Sequence, residues 1–253
     1  MFPYHDENQT QRTPVVTIGL IAINVAAWLL VQGGGAERPL IESVCNLGLV
    51  PAELMATVPP GAELPMAEGL VCVTDPGRQP LHLFTSMFMH GGWMHLLGNM
   101  WFLWLFGNNI EDSMTRVRFL AFYLLCGVSA AMAQVMADPA SIIPMVGASG
   151  AISGVMGAYL VLFPRVRVFT MVPLGFYATS VALPAWAMLI YWMVLQLVSQ
   201  AASSLTAQQG GVAYWAHIGG FAAGVVLVKL FERRDRVKDH VSHHWQPRRV
   251  GWN

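Results

Sequence analysis

Four polar side chains stand in otherwise apolar runs: Ser149 in GASGAISG, His217 in AHIGGFAAG, and His95 and Asn99 in HGGWMHLLGN. Their types add up to acyl-transfer chemistry. A serine hydroxyl is a weak nucleophile until a base takes its proton. Histidine, with a pKa near neutrality, is suited to be that base. A developing oxyanion needs donors. Asn99 and His95 are four residues apart, on one face of a helix, and both have N–H groups to give. The backbone N–H of Ser149, at the start of a helix, is a third candidate. Each residue alone has a plainer reading. Ser149 could bond its own backbone carbonyl, His217 could be a satisfied core histidine, and Asn99 could tie two helices together. Their conjunction carries the inference.

A triad would add a carboxylate to orient the histidine. The 14 acidic residues all fall in loops, tails or helix ends, so the pattern points to a Ser149–His217 dyad. The same distribution excludes an aspartyl protease, which needs two buried carboxylates. There is no H-E-x-x-H run, which excludes a zincin. GASGA is not the G-x-S-x-G elbow of an α/β-hydrolase, because its fifth position is Ala151. His90, His95 and His217 would make three nitrogen ligands, but no buried carboxylate or cysteine joins them, and no metal or other cofactor is expected. His240, His243 and His244 read as part of a solvated basic segment.

The elements that must position these groups are membrane helices. Of the 253 residues, 55% are hydrophobic and only 11% charged, against about 25% charged in a soluble domain. Zero formal net charge gives no electrostatic reason for a nucleic-acid partner. A hydrocarbon core about 30 Å thick takes about 20 apolar residues of helix. Six segments approach that length: 13–31, 93–110, 116–135, 146–163, 183–203 and 212–231. The chain thus reads as an all-α, polytopic membrane protein with the lipid bilayer as its solvent. The N-terminus lacks the basic stretch of a signal peptide, so the first segment is expected to remain as a helix. The fourth is short and glycine-rich, which suits a buried helix.

With the N-terminus inside, the inner segments hold twelve Lys and Arg and the outer ones only Arg38 and Arg78. That asymmetry places both termini in the cytoplasm and the long 32–92 connection outside. Residues 1–12 are then a cytosolic segment, 13–232 the membrane domain and 233–253 a basic cytosolic tail, in part disordered. Cys45 and Cys72 share the outer loop, where they either form a disulfide or remain as two thiols. Helices two, four and six enter from outside, so His95, Asn99, Ser149 and His217 all lie within about 10 Å of the outer helix ends. Small residues recur at four-residue spacing in the fourth helix (Gly150, Gly154, Ala158) and the sixth (Ala216, Gly220, Gly224). Rows like these let backbones approach closely, which would set Ser149 beside His217.

Three motifs in order then resemble the bacterial rhomboid protease family over about residues 13–232: HGGWMHLLGNMWFLWLFG, GASG and AHIGGFAAG. The resemblance implies a six-transmembrane-helix rhomboid-like bundle with a long outside loop between helices one and two. It implies an intramembrane serine endopeptidase of the inner membrane, cutting the transmembrane helices of other proteins near the outer face. Ser149 and His217 would be its dyad, and Asn99, His95 and the Ser149 backbone its oxyanion site. Gly147 and Gly150 would flank the nucleophile, and His90 would be structural or water-retaining. Helix five and the loop at about 203–212 would gate substrate entry. Two positions depart from the family's pattern: Leu81-His82 stands where many members have Trp-Arg, and Ser153 where many have a tyrosine that stacks on the histidine. The competing readings are a non-catalytic rhomboid-like protein that binds membrane helices, and a small-solute transporter. Such binding proteins usually lack the serine or the histidine, both present here. Transporters tend to show repeats or charged membrane residues, and neither is seen.

Overall fold

A computed structural model describes residues 2–67, 70–74, 77, 79–174, 177–206 and 212–244. The chain begins with strand β1 (Phe2–Asp6) and helix α1 (Val15–Ala26), which a π-helical turn continues through Ala27–Val31. The long loop is built from α2 (Glu37–Leu47), α3 (Pro51–Leu54), the hairpin β2 (Glu63–Ala67) and β3 (Leu70–Val73), and α4 (His82–Thr85). Next come α5 (Trp93–Asp112), α6 (Arg116–Ala137) and α7 (Ser149–Leu162). The hairpin β4 (Arg167–Leu174) and β5 (Tyr177–Pro184) leads to α8 (Ala185–Thr206), α9 (Tyr214–Phe231) and α10 (Arg234–His244).

Among the described residues three helices are long and apolar enough to cross a membrane: Arg116–Ala137, Ala185–Ala202 and Tyr214–Phe231. Val15–Val31 and Ser149–Leu162 are shorter apolar helices. Helix α5 is long enough, but His95, Asn99, Asn108, Asn109, Glu111 and Asp112 make it less apolar.

The molecule is mostly helical but not all-α. Strands β1, β4 and β5 form an antiparallel sheet in the order β1-β4-β5, and β2 pairs with β3. The signal for β4 lies in RVFTMV, which is rich in β-branched residues. Val168 and Thr170 point inward and are buried, while Arg167 and Met171 are exposed. The two arginines in this region mark the topology so strongly that the period of two beneath them is easily passed over.

Helix α7 is the axis of the bundle, with every residue from Gly150 to Tyr159 buried. It packs most extensively on α9, backbone to backbone. A Cβ on Gly220 would fall 2.0 Å from the Gly150 carbonyl oxygen, and one on Gly224 would fall 1.9 Å from that of Gly154. On the other flank, a Cβ on Gly154 would lie 2.4 Å from Cys126 Cβ of α6. Close backbone approach is what small-residue rows provide in lipid, where dispersion rather than water exclusion drives association.

The loop is held to the α6–α7 connection by an antiparallel bridge between Leu49 and Met145. A disulfide joins Cys45 of α2 to Cys72 of β3, with the Cα atoms 5.3 Å apart, over a small core of Val50, Ala52 and Leu64. At the Leu81-His82 position, the buried His82 Nδ1 faces the buried Glu53 carboxylate at 4.0 Å. At the opposite end of the bundle Glu111 caps α1, which has no side-chain cap of its own. Its carboxylate accepts from Val16 N (2.9 Å), Thr17 N (2.7 Å) and Thr17 Oγ1 (2.8 Å).

Near that cap the chain ends meet. Asp6 of β1 accepts from Tyr159 Oη (2.6 Å) and Asn109 Nδ2 (3.0 Å). The first part of the basic tail is helix α10, and His240 on it is 1% exposed, not solvated. His240 Nε2 lies 3.0 Å from the Asp112 carboxylate, its Nδ1 lies 3.1 Å from Asn8 Oδ1, and Phe163 packs on the ring. Burying one face of α10 against this polar cluster is what removes His240 from solvent. The side chains of His243 and His244 lie outside the described residues.

Candidate active site

Helix α7 begins at Ser149 itself, three residues later than the hydropathy boundary, because Gly147 turns the chain just before it. Gly147 has φ +126°, a conformation that L side chains rarely adopt, and a Cβ there would lie 2.7 Å from His95 Nε2. Glycine is therefore required on two counts. Ser149 stands in the first turn of the helix, where backbone N–H groups have no intrahelical partner. Gly150, next to it, is closed in by Ala130, whose Cβ would be 2.6 Å from an added Cβ.

His217 is in the first turn of α9, and the glycine seam brings it across to α7. Its Nε2 lies 2.8 Å from Ser149 Oγ. Its Nδ1 lies 2.8 Å from Gln196 Oε1 of α8. The ring is flanked by Trp192 (centroids 5.9 Å apart) and edge-on by Tyr214 (6.5 Å). Ser153, in the position where a stacking tyrosine was looked for, instead gives its hydroxyl proton to the Ser149 carbonyl at 2.7 Å.

His95 and Asn99 face the same space from α5. The Gly91 N–H donates to His95 Nδ1 at 3.3 Å, so the proton of a neutral His95 sits on Nε2, beside Gly147 and Ser149. Asn99 is 8% exposed, and its Nδ2 has no hydrogen-bond partner among the described residues. A buried N–H without a partner is costly and calls for an explanation. A cavity of about 840 Å³ supplies one. Ser149, His217, His95, Asn99, Gly147 and Gly150 all line it, together with Gln196 and Trp192. Donors that face a cavity without a bond to the described residues are available to an oxygen that acquires charge during a reaction.

His90 packs edge-on against His95 with ring centroids 5.2 Å apart. It is fully buried, and the Gln32 side chain holds its backbone by accepting from His90 N (2.8 Å) and donating to His90 O (2.8 Å). Among the described residues no group of three His, Cys, Asp or Glu side chains is arranged to hold a metal ion.

Gln196 is the site residue that motif reading missed. Its signal was a glutamine inside the apolar run YWMVLQLV, and polar groups in membrane helices are rare enough to question. It was passed over because α8 runs opposite to α5, α7 and α9. The loop at about 203–212 lies largely outside the described residues.

A rhomboid domain model matches residues 77–234. The chain is 34% identical over 147 residues to rhomboid-like protease 5 of Toxoplasma gondii, a match covering 56% of this chain and 15% of that protein. It is 28% identical over 176 residues to the mitochondrial rhomboid protein 1 of Saccharomyces cerevisiae, covering 65% and 47%. It is 38% identical over 78 residues to rhomboid protease GluP of Bacillus subtilis, covering 31% and 15%. The matched stretch spans less than half the length of each of these relatives.

Proposed function

The chain belongs to the rhomboid family, and from that premise we propose that it is an intramembrane serine endopeptidase with Ser149 as nucleophile and His217 as base. The observation that carries the reading is the 2.8 Å contact between Ser149 Oγ and His217 Nε2, inside a cavity that also holds the unpartnered Asn99 amide.

The reaction proceeds in two halves. The Ser149 hydroxyl attacks a peptide carbonyl as His217 Nε2 takes its proton. The tetrahedral oxyanion is held by Asn99 Nδ2, His95 Nε2–H and the Ser149 N–H. The intermediate collapses as His217 gives the proton to the leaving amine, which leaves an acyl-enzyme on Ser149. Water activated by the same imidazole then releases the acid. No carboxylate takes part, which spares the cost of a buried charge in a low-dielectric site.

The substrates are transmembrane segments of other proteins, and the architecture that admits them has six spans: α1 with its π-helical turn, α5, α6, α7, α8 and α9. Contact between the chain ends supports an even number. Asn8 and His240 lie 3.1 Å apart, so the N-terminal segment and α10 are on one side of the bilayer. The excess of Lys and Arg at that end makes it the cytoplasmic side, with the disulfide-bearing loop and the dyad toward the outer face of a bacterial inner membrane. Residues 13–232 form the membrane domain, 1–12 and 233–253 the cytoplasmic ends.

A fluorophosphonate probe tests the nucleophile. The wild-type protein in detergent is labelled and Ser149→Ala is not, while both keep the same melting temperature. Equal labelling of the two, or failure to label the folded wild type, would overturn the assignment.

A further inference from the structure

A neutral imidazole works as a base only in one of its two tautomers. To accept the Ser149 proton, His217 needs its lone pair on Nε2, and so its hydrogen on Nδ1. In a triad a buried carboxylate enforces this by accepting from Nδ1. Among the described residues no acidic side chain touches His217, and Ser153 turns its hydroxyl to its own helix. The Nδ1 position is nevertheless filled. Gln196 of α8 offers its carbonyl oxygen at 2.8 Å, and a carbonyl oxygen can only accept.

We infer that Gln196 is the positioning residue of this site, its side-chain carbonyl holding the Nδ1–H tautomer of His217 so that Nε2 faces Ser149. The inference rests on the serine-protease reading above and extends it from a pair to a chain of three: Ser149 Oγ–H to His217 Nε2, His217 Nδ1–H to Gln196 Oε1. Glutamine suits the surroundings. It supplies the acceptor of a carboxylate without the desolvation cost of a charge. It also stabilises the imidazolium less than a carboxylate does, so it orients the base more than it strengthens it.

The placement on α8 ties the base to that helix. Only Ala185, Met188 and Leu189, at its inner end, are buried in the molecule; from Ile190 through Ala202 no residue is. Gln196 is thus a polar link from the lightly held half of α8 to the catalytic helix. The base keeps this acceptor only while α8 lies against α9.

Two substitutions at Gln196 test this, with Ser149→Ala in parallel on the same detergent-solubilised full chain and transmembrane peptide substrate. Gln196→Leu keeps the volume and removes the acceptor. It should lower kcat by about 10- to 100-fold with little change in KM, because the lost alignment acts on proton transfer and not on binding. Gln196→Glu restores an acceptor that carries charge. It should recover activity above neutral pH and move the acid limb of the kcat profile to higher pH, since a carboxylate stabilises imidazolium and the base must then be deprotonated at higher pH. If Gln196→Leu retains wild-type kcat and pH profile while Ser149→Ala is dead, Gln196 is packing and the inference fails alone. If Ser149→Ala stays active, the protease reading itself fails. Should Gln196→Leu not fold, Gln196→Glu decides: an acid limb unmoved from the wild type's overturns the role.

Discussion

At the scale of single residues the candidate site is a set of N–H donors gathered with the Ser149 hydroxyl around one cavity. Asn99 is the clearest case, because its buried Nδ2 has no partner among the described residues. On the proposed acyl-transfer reading, this amide is available to donate to the oxyanion as it forms. Asn99→Ala should therefore lower kcat about 10²- to 10³-fold while leaving KM nearly unchanged, in line with the removal of one oxyanion donor. Steady-state kinetics on a transmembrane peptide read both parameters. A variant that lost affinity alone would show Asn99 to be a binding residue.

Ser149, His217, His95 and Asn99 stand out in the sequence because lipid disfavours such polar types and four of them fall at one helical depth, and all four line one cavity in the structure. Gln196 does not stand out. It sits on a helix that runs the other way, so depth measured from helix starts misses it, and glutamine does not announce catalysis. His240 was misread for a related reason. A histidine among basic tail residues looks solvated, and only the fold reveals Asn8, Asp112 and Phe163 around it.

At the scale of elements, the seam between α7 and α9 sets the Ser149–His217 distance. Gly220 and Gly224 rest on the carbonyls of Gly150 and Gly154, one helical turn apart. Gly224→Ala would put a methyl group 1.9 Å from the Gly154 oxygen, so the helices must separate. Overpacking of this kind costs about 1–3 kcal/mol. A lower melting temperature and a loss of fluorophosphonate labelling are expected together, because separated helices part His217 from Ser149. Gly19, which faces open space on α1, is the control: Gly19→Ala should change neither. Loss of labelling in both variants would disconnect the seam from the site. The helices could be placed from the sequence to within a few residues, because each has to keep a long apolar run. The β4–β5 hairpin could not, since a strand of eight residues is identified by its pairing partners as much as by its own pattern. One partner, β1, lies some 160 residues earlier in the chain.

At the scale of the whole molecule, strand β1 and helix α10 together close one end of the bundle. Strand β1 lies on β4, and Asp6 reaches into the bundle to Asn109 and Tyr159. Arg12 and His240 converge on Asp112. Burial pushes the Asp6 carboxyl up to about 7, and the hydrogen bonds from Tyr159 and the Asn8 backbone only partly oppose it. Its folded pKa is thus above the unfolded value near 3.8. A raised folded pKa means that the folded state holds the proton after the unfolded chain has lost it. The contribution to stability is fully present below about pH 4 and is lost as pH rises through about 7. A shift of that size corresponds to at most about 4 kcal/mol across the window. Asp6→Asn keeps the shape and cannot ionise, so it should remove this dependence. The test is the melting temperature of both proteins in one detergent from pH 4 to 8. Other groups titrate in both proteins, so the difference between the two curves isolates Asp6. The wild type should lose stability relative to Asp6→Asn as pH rises from 4 to 7, and the gap should then stay constant. Parallel curves would mean that Asp6 is ionised in the fold and that the N-terminal strand is held by charge, not by a shared proton.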